Sequence, residues 1–244
     1  MRQKLLMKWD HNHLDEYILL PIDHGFVNNE DCYFVSHYWR SQEHPDPDGK
    51  DLCSFVEDLA EANWLYIWVD WTCMPQAPRT EGQRRYFKMM LQCIPMLIRD
   101  CAFEWRFPKF EPRAWILYEV AEYILTHSHH IITDDNRPFI HHVWEMVYDG
   151  VGPVMERYRY RCTNEADSLL VTGWLEMLVI LAEIVPNIGT RQEILDSLDR
   201  SYTGSYSNPF LGIDIDKAEG VVRYNGRVYR FTPVFHLTAN VSSS

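Results

Sequence analysis

One stretch limits the fold more than any other: an apolar run, a break, an amphipathic segment and a second apolar run, in that order. Residues 31 to 37, Asp-Cys-Tyr-Phe-Val-Ser-His, read as a short buried parallel strand that ends in polar residues. Residues 44 to 49, His-Pro-Asp-Pro-Asp-Gly, suit neither helix nor strand, because two prolines lie one residue apart before a glycine. From Lys50, the apolar positions Leu52, Phe55, Val56, Leu59 and Ala60 recur at helical spacing and stop near Asn63. Residues 64 to 69, Trp-Leu-Tyr-Ile-Trp-Val, form a second strand with Asp70 at its carboxyl end. Strand, helix, strand is a βαβ unit, which predicts an α/β fold with a parallel sheet.

Farther along, Glu81 to Cys93 reads as a helix and Met96 to Phe103 as a third strand. Residues 113 to 127 form a helix whose buried stripe is Leu117, Val120, Ala121, Ile124 and Leu125. His130 to Thr133 reads as a fourth strand. Asn164 to Asp167 opens an apolar helix that runs to about Val185, and Thr190-Arg-Gln-Glu193 is a capping-box pattern for the next, so this half reads as a helical hairpin. Val221 to Tyr224 and Val228 to Phe231 flank Asn225-Gly226-Arg227, the strongest short hairpin signal. Val241 to Ser244 reads as a frayed tail. The organisation expected is an α/β domain over 1–145, a helical extension over 146–205 and a β-hairpin segment over 206–244.

Composition bounds the function. With 23 Lys+Arg against 35 Asp+Glu, the 244-residue chain carries a formal charge of −12, which argues against nucleic acid as a partner because phosphate binding needs a basic face. At 46% hydrophobic residues it holds enough apolar material for a substantial core. No apolar run reaches the roughly 18 residues of a membrane span, and Met1 to Asp10 lacks the apolar segment of a secretory signal, so a cytoplasmic protein with no membrane span is expected. The six cysteines show no paired spacing and read as reduced core thiols. Asp46-x-Asp48-Gly49-x-Asp51 lacks the rest of a calcium loop, and the histidines at 127, 129, 130, 141 and 142 form no zinc motif, so no metal is expected.

Open parallel sheets bind ligands beyond the carboxyl ends of their strands. Two strand ends deliver polar groups there: Ser36, His37, Trp39 and Arg40 after the first, and Asp70 with Trp71 after the second. On the helix over 113–127, Trp115, Glu119 and Glu122 cluster opposite the apolar stripe. An outward indole costs apolar exposure unless it lines a pocket or is covered, and here the helical carboxyl half is the alternative cover. Arg40 and Arg113 are the candidates for a phosphate group, since guanidinium matches its geometry.

Phe34-Val-Ser-His37, Trp68-Val-Asp-Trp-Thr-Cys-Met-Pro-Gln76 and Arg113-Ala-Trp-Ile-Leu-Tyr-Glu119 together resemble the TIR-like domains related to fungal heterokaryon-incompatibility (HET) domains, over roughly residues 30 to 135. Ile116 stands where the usual TIR helix has Cys, and Met74-Pro75-Gln76 replaces a glycine-containing loop. The resemblance implies a flavodoxin-like parallel sheet flanked by helices and, in enzymatic members, cleavage of the nicotinamide–ribose bond of NAD or NADP. It maps the catalytic glutamate to Glu119 and the nearby tryptophan to Trp115, with substrate contacts near Ser36, His37 and Trp39. Asp70 would assist with water or a ribose hydroxyl, or else caps the loop that follows it. NAD(P) is then a substrate rather than a cofactor, and homo-oligomerisation, cell death and innate immunity form the implied setting. Two alternatives stand beside this reading: a non-catalytic self-association scaffold, and another nucleotide N-glycosidase or ribosyltransferase.

Overall fold

Apolar and aromatic runs pair side by side in the first part of the chain. The computed structural model describes residues 8–12, 32–41, 43–58, 66–106, 109–130, 132–201 and 203–234. They form two compact units, 1–108 and 109–244, so the divide falls inside the 1–145 stretch expected as one domain.

In the first unit, β1 (Cys32–His37), β2 (Tyr66–Trp68) and β3 (Ala102–Arg106) make a parallel sheet in the order β2-β1-β3. Phe34 lies in register with Trp68 and Phe103, and its ring stacks on both, at 4.6 and 5.6 Å between centroids. Val35 therefore belongs to the opposite face, where it packs with Val69, Trp71 and Phe55 of α1 (Lys50–Asp58). After β2 come the single turn α2 (Asp70–Cys73) and α3 (Glu81–Asp100), which opens on a complete capping box of Thr80 and Gln83. Because strand order reverses between β1 and β3, right-handed crossovers carry α1 and α3 to opposite faces of the sheet.

The expected strand over Met96 to Phe103 is corrected: α3 continues through Pro95 to Asp100, and the strand begins only at Ala102. An interior proline costs a helix about 3 kcal/mol, but the helix continues through it and buries Met96 and Ile98 just beyond. The expected ends of the preceding helix and strand, residues 59–65, lie outside the described residues, as do Asp31 and the tail at 241–244.

The second unit is built around α4 (Ala114–Thr126), against which α5 (Arg137–Asp149), α7 (Ser168–Ile184) and α8 (Ile188–Arg200) all pack. The short α6 (Val151–Arg157) follows α5, and a 3-10 turn over Glu165–Asp167 leads into α7. A helix surrounded on its sides must be apolar nearly all round, and α4 is. The expected helical hairpin is thus a bundle whose other helices meet on α4. The cap of α8 is Asn187, whose side chain accepts from the Thr190 amide, and not Thr190 itself. His130, Ile132 and Thr133 are not in a strand, and Ile131 lies outside the described residues.

Four antiparallel strands close the unit in chain order: β4 (Ser205–Asn208), β5 (Ile213–Asp216), β6 (Val221–Tyr224) and β7 (Arg227–Arg230). The expected Asn225-Gly226 turn joins β6 to β7, with φ of 47° and 80°. β4 and β5 extend the expected hairpin into a sheet. Residues 232–234 run against α7 at Gly173, where a Cβ would sit 2.3 Å from the Thr232 carbonyl oxygen. Among the described residues, no helix is long and apolar enough to cross a membrane.

Candidate functional site

On α4, eleven of thirteen residues are buried, and the remaining two are Trp115 and Glu119. They stand one turn apart on the same face. The indole is covered in part by the helical half: its ring meets Trp174 edge-on at 5.9 Å, and its Nε1 donates to Asp167 Oδ2 at 3.4 Å. Trp115 is therefore fixed in one orientation, beside a carboxylate that keeps access to water.

Glu122 departs from the sequence expectation. Although it shares the polar side of α4, it is only 1% exposed and accepts a hydrogen bond from the Tyr118 hydroxyl at 3.0 Å. Arg191 of α8 lies close enough to feel its charge, yet burial holds the Arg191 pKa below its ordinary value, and its Nε has no hydrogen-bond partner among the described residues. At the start of α4, both Nε and Nη2 of Arg113 donate to Glu111 at 3.3 Å. The Lys109 ammonium, 3.2 Å from Glu111, and then Arg113 hold the Glu111 carboxyl below its usual range.

A second cluster lies at the strand ends of the first unit, and Asp70 is its hub. Its Oδ1 meets His37 Nε2 at 3.2 Å and accepts from the Trp71 amide at 2.6 Å, while its Oδ2 accepts from Trp39 Nε1 at 3.1 Å. The Asp70 side chain is 40% exposed and that of His37 only 3%. His37 Nδ1 meets the Tyr38 carbonyl at 3.3 Å, so both ring nitrogens face oxygens and neither is turned to solvent. The His37 ring is thus held between the Asp70 carboxylate and the Tyr38 carbonyl.

Ser36 is buried within β1. Arg40 is held by Asp48 at 2.9 Å and by Asp51, whose carboxyl burial pushes up against the opposing pull of Arg40. A phosphate at Arg40 or Arg113 has to displace carboxylates already in place.

Family models, curated proteins and solved structures give no match to the chain. Its chemistry therefore rests on its own residues.

Of the residues expected from the sequence, His37, Trp39 and Asp70 come together in the first unit, where Arg40 joins a separate acidic group. Trp115 and Glu119 stand together in the second unit, with Arg113 at the same helix's start. Sequence reasoning missed Gln76 as a brace: its Nε2 donates to the carbonyls of Asp70 and Met74, each at 2.9 Å. It also missed Asp46, fully buried, whose carboxylate accepts from the amides of Asp51 and Leu52 and so caps α1. An aspartate set between Pro45 and Pro47, just ahead of the helix, was the available signal for that cap.

Proposed function

We propose that this protein is an NAD(P)+ glycohydrolase that cleaves the nicotinamide–ribose bond, with Glu119 as the catalytic carboxylate. The observation that carries this reading is the pairing on α4, where Trp115 and Glu119 are the helix's two unburied positions and share one face. Nicotinamide leaves as a neutral ring from a cationic pyridinium, taking the C–N bonding pair, so no proton donor is needed. The difficulty lies in the positive charge that develops on the ribose. A carboxylate at the sugar stabilises that charge and orients the ribose hydroxyls, while water adds to the anomeric carbon and releases its proton. An indole locked by Trp174 and Asp167 provides a fixed wall for a flat ring or the sugar. The resemblance to TIR/HET domains supplies the flavodoxin-like class and the setting, a cytoplasmic, self-assembling effector of cell death or innate immunity.

The test is nicotinamide release from NAD and NADP, followed by chromatography over a protein concentration series, with Glu119→Gln alongside. Release by the wild type that falls at least about 100-fold in a folded variant supports the assignment. No release at any concentration, by folded and assembled protein, overturns it. Competition by free nucleosides separates this reading from another nucleotide N-glycosidase or ribosyltransferase.

A self-association scaffold is the second reading, and exposed aromatics favour it. Trp144 and Tyr148 lie one turn apart on α5 and are 43% and 84% exposed. Assembly that survives Glu119→Gln, without turnover, selects it.

A further inference from the structure

We propose that the open edge of β7 takes up an acidic, extended segment of a partner protein as a fifth strand. The sheet order places β7 at an edge. The Phe231 amide donates to the Gly220 carbonyl, and antiparallel ladders alternate residue by residue. Arg227 and Tyr229 therefore face β6 with their main-chain groups, whereas Val228 and Arg230 direct N–H and C=O to the open side. No hydrogen bond to those groups occurs among the described residues.

Edges of this kind attract other strands unless they are bulged, covered or interrupted by proline. Residues 227–230 contain no proline or glycine, and Val228 is 57% exposed. The side chains define what fits. Arg227 and Arg230 are exposed and make no ion pair among the described residues, whereas Arg223 on the neighbouring strand is engaged by Asp214 at 2.8 Å and Glu219 at 3.2 Å. Two uncompensated cations on four edge residues stand out in a chain of net charge −12.

A second copy is the wrong occupant. Outward-facing residues pair only with outward-facing ones, so β7 against its own copy centres on Tyr229 and sets Val228 opposite Arg230; with no carboxylate in 227–230, both arginines stay uncompensated. An acidic segment supplies the missing charge. Read antiparallel, Glu opposite Arg230, Tyr opposite Tyr229, Val opposite Val228 and Glu opposite Arg227 give the complement Glu-Tyr-Val-Glu. The backbone supplies affinity and the two arginines supply selectivity.

The test uses the full chain and a fluorescein-labelled peptide, Ser-Glu-Tyr-Val-Glu-Ser, followed by fluorescence anisotropy. Saturable binding is expected, weakening several-fold between low and moderate salt. It should be lost when the peptide's valine is N-methylated, because that residue's amide faces β7. The double variant Arg227→Glu with Arg230→Glu should lose this peptide and gain the version with lysines for glutamates. Both positions are exposed, and far-UV circular dichroism checks the fold. No saturable binding to the folded wild type overturns the proposal, as does binding indifferent to charge reversal or to N-methylation. Sedimentation showing wild-type self-association that charge reversal abolishes also overturns it, by assigning the edge to a second copy.

Discussion

The Lys217 ammonium lies 2.5 Å from the Asp199 carboxylate, and each side chain is 5% exposed. This pair ties α8 to the turn between β5 and β6. Removing Asp199 leaves the Lys217 ammonium buried without its carboxylate, so Asp199→Leu should destabilise the protein by about 3–5 kcal/mol in urea denaturation. The double replacement Lys217→Met with Asp199→Leu should recover much of that loss. A single variant as stable as the wild type would show that the buried pair contributes nothing.

Gly173 tests the seam between α7 and the chain after β7. By helix propensity alone, alanine should stabilise α7 by up to about 1 kcal/mol. Its Cβ would instead lie 2.3 Å from the Thr232 carbonyl oxygen and 2.6 Å from Val234 Cγ2, and backbone cannot give way cheaply. Gly173→Ala is therefore expected to lower the thermal midpoint, with a loss of about 1–3 kcal/mol.

His142 makes stability depend on pH. Its Nδ1 meets the Tyr160 hydroxyl at 2.8 Å, its ring stacks on Tyr158 at 3.5 Å, and Phe110 closes edge-on at 5.5 Å. Burial lowers its pKa below the ordinary 6.5; Glu145 opposes that shift, and His141 and Arg157 reinforce it. The folded state thus binds the proton less readily than the unfolded chain. Its contribution is present above about pH 6.5 and is lost as pH falls through the lowered folded value. The stability gap between wild type and His142→Gln, measured by urea denaturation, should narrow from pH 7.5 to 5.5. A gap that widens contradicts the sign.

The cysteines divide by burial, with Cys32 and Cys101 buried and Cys53 exposed, so Cys53 is not the core thiol expected of it. The Cys32–Cys101 hydrogen bond, then burial, push the Cys101 thiol up. Burial pushes Cys73 up to about 12. Iodoacetamide at pH 8 should modify Cys53 first, with Cys73 and Cys101 protected until unfolding. Peptide mass mapping over time reads the order directly.

Much of the fold is legible in local pattern. The apolar run at 32–37, the α1 periodicity, α4 and the Asn225-Gly226 turn carry their own signals, since each depends on side chains close in sequence. The alternation Ile213-Asp-Ile-Asp216 signals β5 equally well, although the hairpin reading stopped short of it. The misreading of α3 has a different source. The expected helix ends at Cys93 and the expected strand begins at Met96, but burial of Met96 and Ile98 carries the helix past Pro95.

The candidate site divides in the same way. Sequence by itself determined that Trp115, Glu119 and Glu122 share a side of α4, because that follows from the helical repeat. Only the tertiary structure decided that Glu119 keeps access to water while Glu122 is sealed beside Tyr118 and within reach of the charge on Arg191. It likewise decided that Trp115 rests on Trp174, 59 positions away in the chain. Periodicity fixes the direction in which a side chain leaves its helix. What it meets there depends on distant segments, which supply the hydrogen bonds, charge and exclusion of water that determine its chemistry.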